Sequence, residues 1–138
     1  MLVLQILKSK SDDAVVTVPP GTTIAAAAKT LAERRIGTVV VSPDGHKAEG
    51  ILSERDIVRE LAKRGGAMLT DTVEKYMTSK LVTCGRDAKA DAVLQMMTDG
   101  RFRHMPVLED GELVGLITLG DVVKARLAEL DHDTQGDQ

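Results

Sequence analysis

The chain has 138 residues, enough for one ordinary domain with a single sizeable core, and its 43% hydrophobic and 28% charged content describes a globular protein and excludes general disorder. Tyr76 and Phe102 are its only aromatic residues, which removes the stacking platforms that single-stranded nucleic acid needs, and a net charge of −3 argues against a nucleic-acid-binding face. Cys84 is the only cysteine, so neither a disulfide framework nor a thiolate metal cluster is expected.

In chain order, the opening MLVLQIL is too short for a signal-peptide core or a membrane span. It is expected to pack on the body as a strand or a helix, in a cytoplasmic protein with no membrane partner. A strand at 15–18 leads to a helix at 23–34, where Ile24, Ala27, Ala28 and Leu31 form an apolar stripe at i, i+3, i+4, i+7 spacing. Strands at 38–42 and 48–52 flank the Asp44-Gly45 step, a hairpin signal, and a helix follows at 54–62. KRGGAML reads as a flexible link and TDTVEKYM as a short helix. The same series then recurs: a strand at 81–84, a helix at 89–99 with Ala90, Val93, Leu94 and Met97 on one stripe, strands at 104–108 and 113–117 around Asp110-Gly111, and a helix at 119–130. Met96 and Met97 are expected to fill the core. The polar end, DHDTQGDQ, is expected to be disordered.

The recurrence is most legible in two phrases, GILSERDIV at 50–58 and GLITLGDVV at 115–123. Each has glycine, two apolar residues, a hydroxyl, two variable positions, aspartate and two apolar residues. A hydroxyl followed three residues later by an acid is the sequence form of a capping box, so Ser53 with Asp56 and Thr118 with Asp121 are expected at helix starts. The match extends back at an offset of 66, with Val16-Thr17 on Val82-Thr83 and Asp44-Gly45 on Asp110-Gly111, and drops to 65 after the turn. A unit of about 50 residues buries its sheet poorly alone. Two β-α-β-β-α copies packed sheet to sheet about a pseudo-twofold axis, an α+β fold, would close one aliphatic core. The expected division is a first copy with its N-terminal segment at 1–64, a link and short helix at 65–79, a second copy at 80–130 and the tail at 131–138.

The doubled VVTV and LVTC, the stretch RFRHMPVLEDGELVG and the two hydroxyl-x-x-Asp phrases resemble a tandem of cystathionine-β-synthase-type (CBS) domains, the pair often called a Bateman module. The resemblance covers roughly residues 1–130. It implies a sensor or regulator that binds adenosine-containing ligands such as AMP, ATP, NAD or S-adenosylmethionine in clefts between paired domains. It also implies roles for particular residues. Asp56 and Asp121, with Ser53 and Thr118 beside them, would receive the ribose hydroxyls, for which a carboxylate offers two acceptor oxygens, and the helix start beside them would offer amides to a phosphate. Arg103 and His104, at the entry of the second copy's middle strand, would meet phosphates, with Arg55 adding charge on the first copy's last helix. Gly37 and Thr38 cannot supply that charge in the first copy, and Gly120 stands where the first copy has Arg55, so the two clefts would differ in charge. The adenine face would combine Thr17, Ile36 and Thr38 with Asp121, and Thr83, Phe102 and His104 with Asp56. Cys84, His46 and His132 are expected to be inert.

The leading expectation is therefore a stand-alone regulatory binding module for an adenosine nucleotide, acting as a homodimer on a protein target. The alternative is a ligand-independent dimerisation scaffold in which both phrases only cap helices. No catalytic cofactor and no metal are expected. Neither is an enzyme, since the sequence carries no metal-ligand cluster, nucleophile with a base, phosphate-cradling glycine loop or paired catalytic carboxylates.

Overall fold

The computed structural model describes residues 1–10 and 15–136. Among them the order is α1 (Val3–Ser9), β1 (Thr17–Val18), α2 (Ile24–Arg34), β2 (Thr38–Val41), β3 (Gly50–Ser53), α3 (Glu54–Arg64), 3-10 turns at Gly66–Thr70 and Val73–Lys75, α4 (Ala90–Gly100), β4 (His104–Glu109), β5 (Glu112–Thr118) and α5 (Leu119–Gly136). The chain forms two compact units, Val15–Leu81 and Met1–Ala14 with Val82–Gln138.

The first unit is a three-stranded sheet in the order β1-β2-β3, with β1 parallel and β3 antiparallel to β2. All four residues of β2 are buried, as expected of a central strand covered on both faces. The core gathers Ile24, Ala27 and Leu31 of the α2 stripe with Val39, Val41, Leu52 and Ile57. In the second unit β4 and β5 form an antiparallel hairpin. It turns on Asp110 and Gly111, whose φ angles of 53° and 81° give the two left-handed positions of a two-residue hairpin loop. Ala90, Val93 and Met97 of α4 pack there with Met105, Val107, Ile117 and Val122, and Leu94 and Met96 line that core.

The strand predicted at 81–84 is reduced to one parallel bridge, Cys84 to Val107. In the first unit the Val40 amide donates to the Val16 carbonyl, 3.1 Å. The equivalent of Val40 in the second copy is Pro106, which has no N–H to give, so that rung is lost and Val82 stays 44% exposed.

The lead-in segments depart most from the sequence expectation. Residues 1–10, grouped above with the first copy, pack with the second. Val3, Ile6 and Leu7 of α1 are buried in that core, and the Val3 amide donates to the Ala88 carbonyl, 2.9 Å. The link expected to be flexible packs instead on the first unit, where Met68 and Val73 are buried and the Val73 amide donates to the Thr22 carbonyl, 2.8 Å. Thr22 and Ala88 are equivalent positions, so each unit accepts a lead-in at the same place. This explains the doubled glycine. A Cβ at Gly50 would lie 2.4 Å from Met77 Sδ, and one at Gly115 would lie 2.8 Å from Leu7 Cδ2. The tail expected to be disordered continues α5 as far as Gly136; residues 137 and 138 lie outside the described residues, as do 11–14.

Candidate functional site

Both repeated phrases are a strand end turning directly into a helix. In the first unit Ser53 Oγ accepts the Asp56 amide, 3.1 Å, while Asp56 Oδ2 accepts the Ser53 amide at 3.0 Å and its hydroxyl at 2.9 Å. In the second, Thr118 Oγ1 accepts the Asp121 amide at 3.1 Å and Asp121 Oδ2 accepts the Thr118 amide at 2.9 Å. Each is a complete capping box, satisfying orphan amides at the helix start.

Each box is tied to its middle strand by the same backbone bond. The Glu54 amide donates to the Gly37 carbonyl, 2.8 Å, and the Leu119 amide to the Arg103 carbonyl, 2.7 Å. The strand register places Thr38 opposite Ser53 and His104 opposite Thr118. Thus the structure brings Arg103 and His104 together with Thr118 and Asp121 inside the second unit, and Thr38 together with Ser53 and Asp56 inside the first.

The charge around the two carboxylates differs. Asp56 Oδ1 accepts from Arg59, one turn along its own helix, at 3.0 Å. Asp121 Oδ2 accepts instead from Lys10 Nζ at 3.0 Å, and Lys10 also donates to the Leu116 carbonyl at 3.0 Å. Burial pushes the Asp121 carboxyl up, but the Thr118 amide and the Lys10 ammonium outweigh it and leave the group below its ordinary value. Lys10 is the residue that sequence reasoning missed. It lies 111 positions from its partner, and no local pattern links them.

The remaining sequence-predicted residues are distributed as follows. Arg55 and Arg103 are exposed, Thr38 is buried at 5%, and Thr83 is exposed beside the Cys84 bridge. Thr17 pairs with Val40 in β1. Phe102 packs on its own core and against Gly100, where a Cβ would come within 2.3 Å of the ring. Ile36 lines an open groove between α2 and α3 with Leu31, Ile57 and Val58, and Arg35 and Glu54 also line it. That groove runs along the face of α3 bearing Glu54, Ile57 and Val58, so the concavity and the Asp56 carboxylate are separate features. Arg35 and Arg101, which end α2 and α4, hold left-handed φ angles of 54° and 56°. Cys84 is half-buried, and burial pushes its thiol up to about 11, which leaves it unreactive near neutral pH. Among the described residues no group of three or more His, Cys, Asp or Glu could hold a metal ion, and no helix is long and apolar enough to cross a membrane.

Two α/β units with a doubled, capped strand-to-helix turn define a paired-repeat module. The CBS-domain family profile matches it twice, over residues 10–63 and 73–128, and the chain belongs to the CBS-domain family. A pair of such domains is a regulatory module. The crystal structure of the CBS-domain protein ATU1752 from Agrobacterium tumefaciens is 43% identical, with a TM-score of 0.85 over 91% of this chain and 99% of that one. The CBS domain pair of MJ0100, solved in complex with 5′-methylthioadenosine and S-adenosyl-L-methionine, is 28% identical, with a TM-score of 0.79 over 94% of this chain and 98% of that one. The mitochondrial CBS domain-containing protein CBSX3 of Arabidopsis thaliana is 33% identical over 117 residues, which are 82% of this chain and 57% of that protein's length.

Proposed function

We propose that this CBS pair senses an adenosine-containing ligand of the AMP, ATP or NAD type and relays its binding to a protein partner, without catalysing a reaction. The observation that carries this reading is the pair of carboxylates, Asp56 and Asp121, each held at a helix start beside a hydroxyl side chain. A carboxylate there can receive two sugar hydroxyls, and the adjoining amides favour a phosphate. In this reading Ser53, Asp56, Thr118 and Asp121 serve the ribose. Arg103, His104 and Arg55 serve the phosphate, and Thr17, Ile36, Thr38, Thr83 and Phe102 the adenine. The binding of 5′-methylthioadenosine and S-adenosyl-L-methionine by the MJ0100 pair supports the ligand class.

A second reading, a dimerisation scaffold, is favoured by one observation: both aspartates are already engaged in capping. A thermal-shift panel of AMP, ADP, ATP, NAD, NADH and S-adenosylmethionine separates the two. A ligand at 100 times its dissociation constant adds about 2.7 kcal/mol, which for a chain of this size raises Tm by on the order of 5–15 °C. A flat panel would favour the scaffold.

A further inference from the structure

Lys10 lies outside the second repeat, at the first residue of the first family match, yet its ammonium is fixed at the second repeat's aspartate. It donates to Asp121 Oδ2 and to the Leu116 carbonyl, each at 3.0 Å. Those two bonds use two of its three protons, and about a quarter of each side chain of the pair remains exposed, 25% for Lys10 and 23% for Asp121. The ammonium is therefore both held and reachable.

The repeat supplies the contrast. In the first phrase Arg55 lies between the hydroxyl and the aspartate, and Arg59 pairs with Asp56. In the second, Gly120 replaces Arg55 and Lys124 replaces Arg59. Lys124 is exposed, and the cation on Asp121 is Lys10. A positive charge that the second repeat does not place on its own aspartate is delivered by a residue outside it. The Leu116 carbonyl gives the ammonium an acceptor besides the carboxylate, 3.0 Å away.

We infer that Lys10 is a ligand-binding residue of the Asp121 site, where its ammonium makes the site select phosphorylated adenosine ligands over the neutral nucleoside. This rests on the adenosine reading above. The hydroxyls of a neutral nucleoside compete with Lys10 for Asp121 and receive nothing in exchange. A phosphorylated ligand gives the ammonium an anionic acceptor, and such charge-assisted bonds are the stronger kind.

The test is calorimetric titration of adenosine and AMP into the full chain in an Asp56→Ala background, which weakens the other site so that the tighter phase reports the Asp121 site. Lys10→Met keeps the side-chain length and removes the charge, and Lys10→Arg keeps the charge. In Lys10→Met the preference for AMP over adenosine should fall by about tenfold or more. AMP should weaken while adenosine binds as well as before or better. Lys10→Arg should retain the preference and shows that the position tolerates substitution. An unchanged preference in a Lys10→Met protein that still binds adenosine would overturn the role of Lys10 and leave the adenosine reading intact. Absence of binding by the unsubstituted chain to both ligands would overturn that reading, and the role of Lys10 with it.

Discussion

Each repeated aspartate accepts the backbone N–H of the hydroxyl residue three positions before it, and the second partner is what distinguishes them: Arg59 for Asp56, Lys10 for Asp121. The capping boxes were legible because they are written within four residues. Lys10 was not, because a bond between residues 10 and 121 exists only once α1 is docked. Asp121 has a consequence for acid stability. Its carboxyl is held below the ordinary value in the folded chain, so its contribution is fully present above the unfolded value, about pH 4. That contribution is lost as pH falls through the lower folded-state value. Asp121→Asn should therefore show a shallower loss of Tm below about pH 4 than the unsubstituted chain, measured by calorimetry across that range. Parallel acid limbs would show that the carboxylate's bonds to the Thr118 amide and to Lys10 contribute nothing there. Arg35 gives a second residue-scale expectation. Its left-handed φ of 54° costs an L-residue on the order of 1 kcal/mol that glycine avoids, so Arg35→Gly should raise the denaturation midpoint slightly. A lower midpoint would mean that the arginine side chain contributes more than its backbone costs.

The elements that the sequence predicted best were those with a long periodic face. The stripes on α2 and α4 sit buried as the i, i+3, i+7 spacing requires, and the Asp110-Gly111 turn adopts the conformation its residues favour. Two elements differ from the sequence expectation for physical reasons. Periodicity says which face of a segment is apolar but not which core receives it, and α1 packs with the second copy rather than the first. The strand at 81–84 has the right residues, but its partner strand carries Pro106 at the position where Val40 donates in the first sheet. The lead-in packing yields its own expectation. Gly115→Ala should cost about 1–3 kcal/mol, because its methyl group would overlap Leu7. Leu7→Ala should also destabilise through the cavity it leaves, and the double variant should lose less than the sum of the two, because the truncated Leu7 makes room for the new methyl group. Strict additivity in denaturant melts would place the clash elsewhere.

At the scale of the whole molecule, the last helix of each unit keeps apolar side chains in solvent, with Val58 65% and Leu127 58% exposed. Exposed apolar residues on two helices suit association of two copies, and we expect a homodimer. Sedimentation at micromolar concentration should give about twice the chain mass of 14.8 kDa, whereas a value near 14.8 kDa would refute it. The relation between the two aspartates and a ligand is the central claim, and one titration addresses it. AMP and S-adenosylmethionine should bind the unsubstituted chain, and each of Asp56→Ala and Asp121→Ala should lose on the order of 1–3 kcal/mol at one site while folding cooperatively. If both variants bind as the unsubstituted chain does and lose only the roughly 1 kcal/mol of stability that a helix cap supplies, the carboxylates cap helices and nothing more.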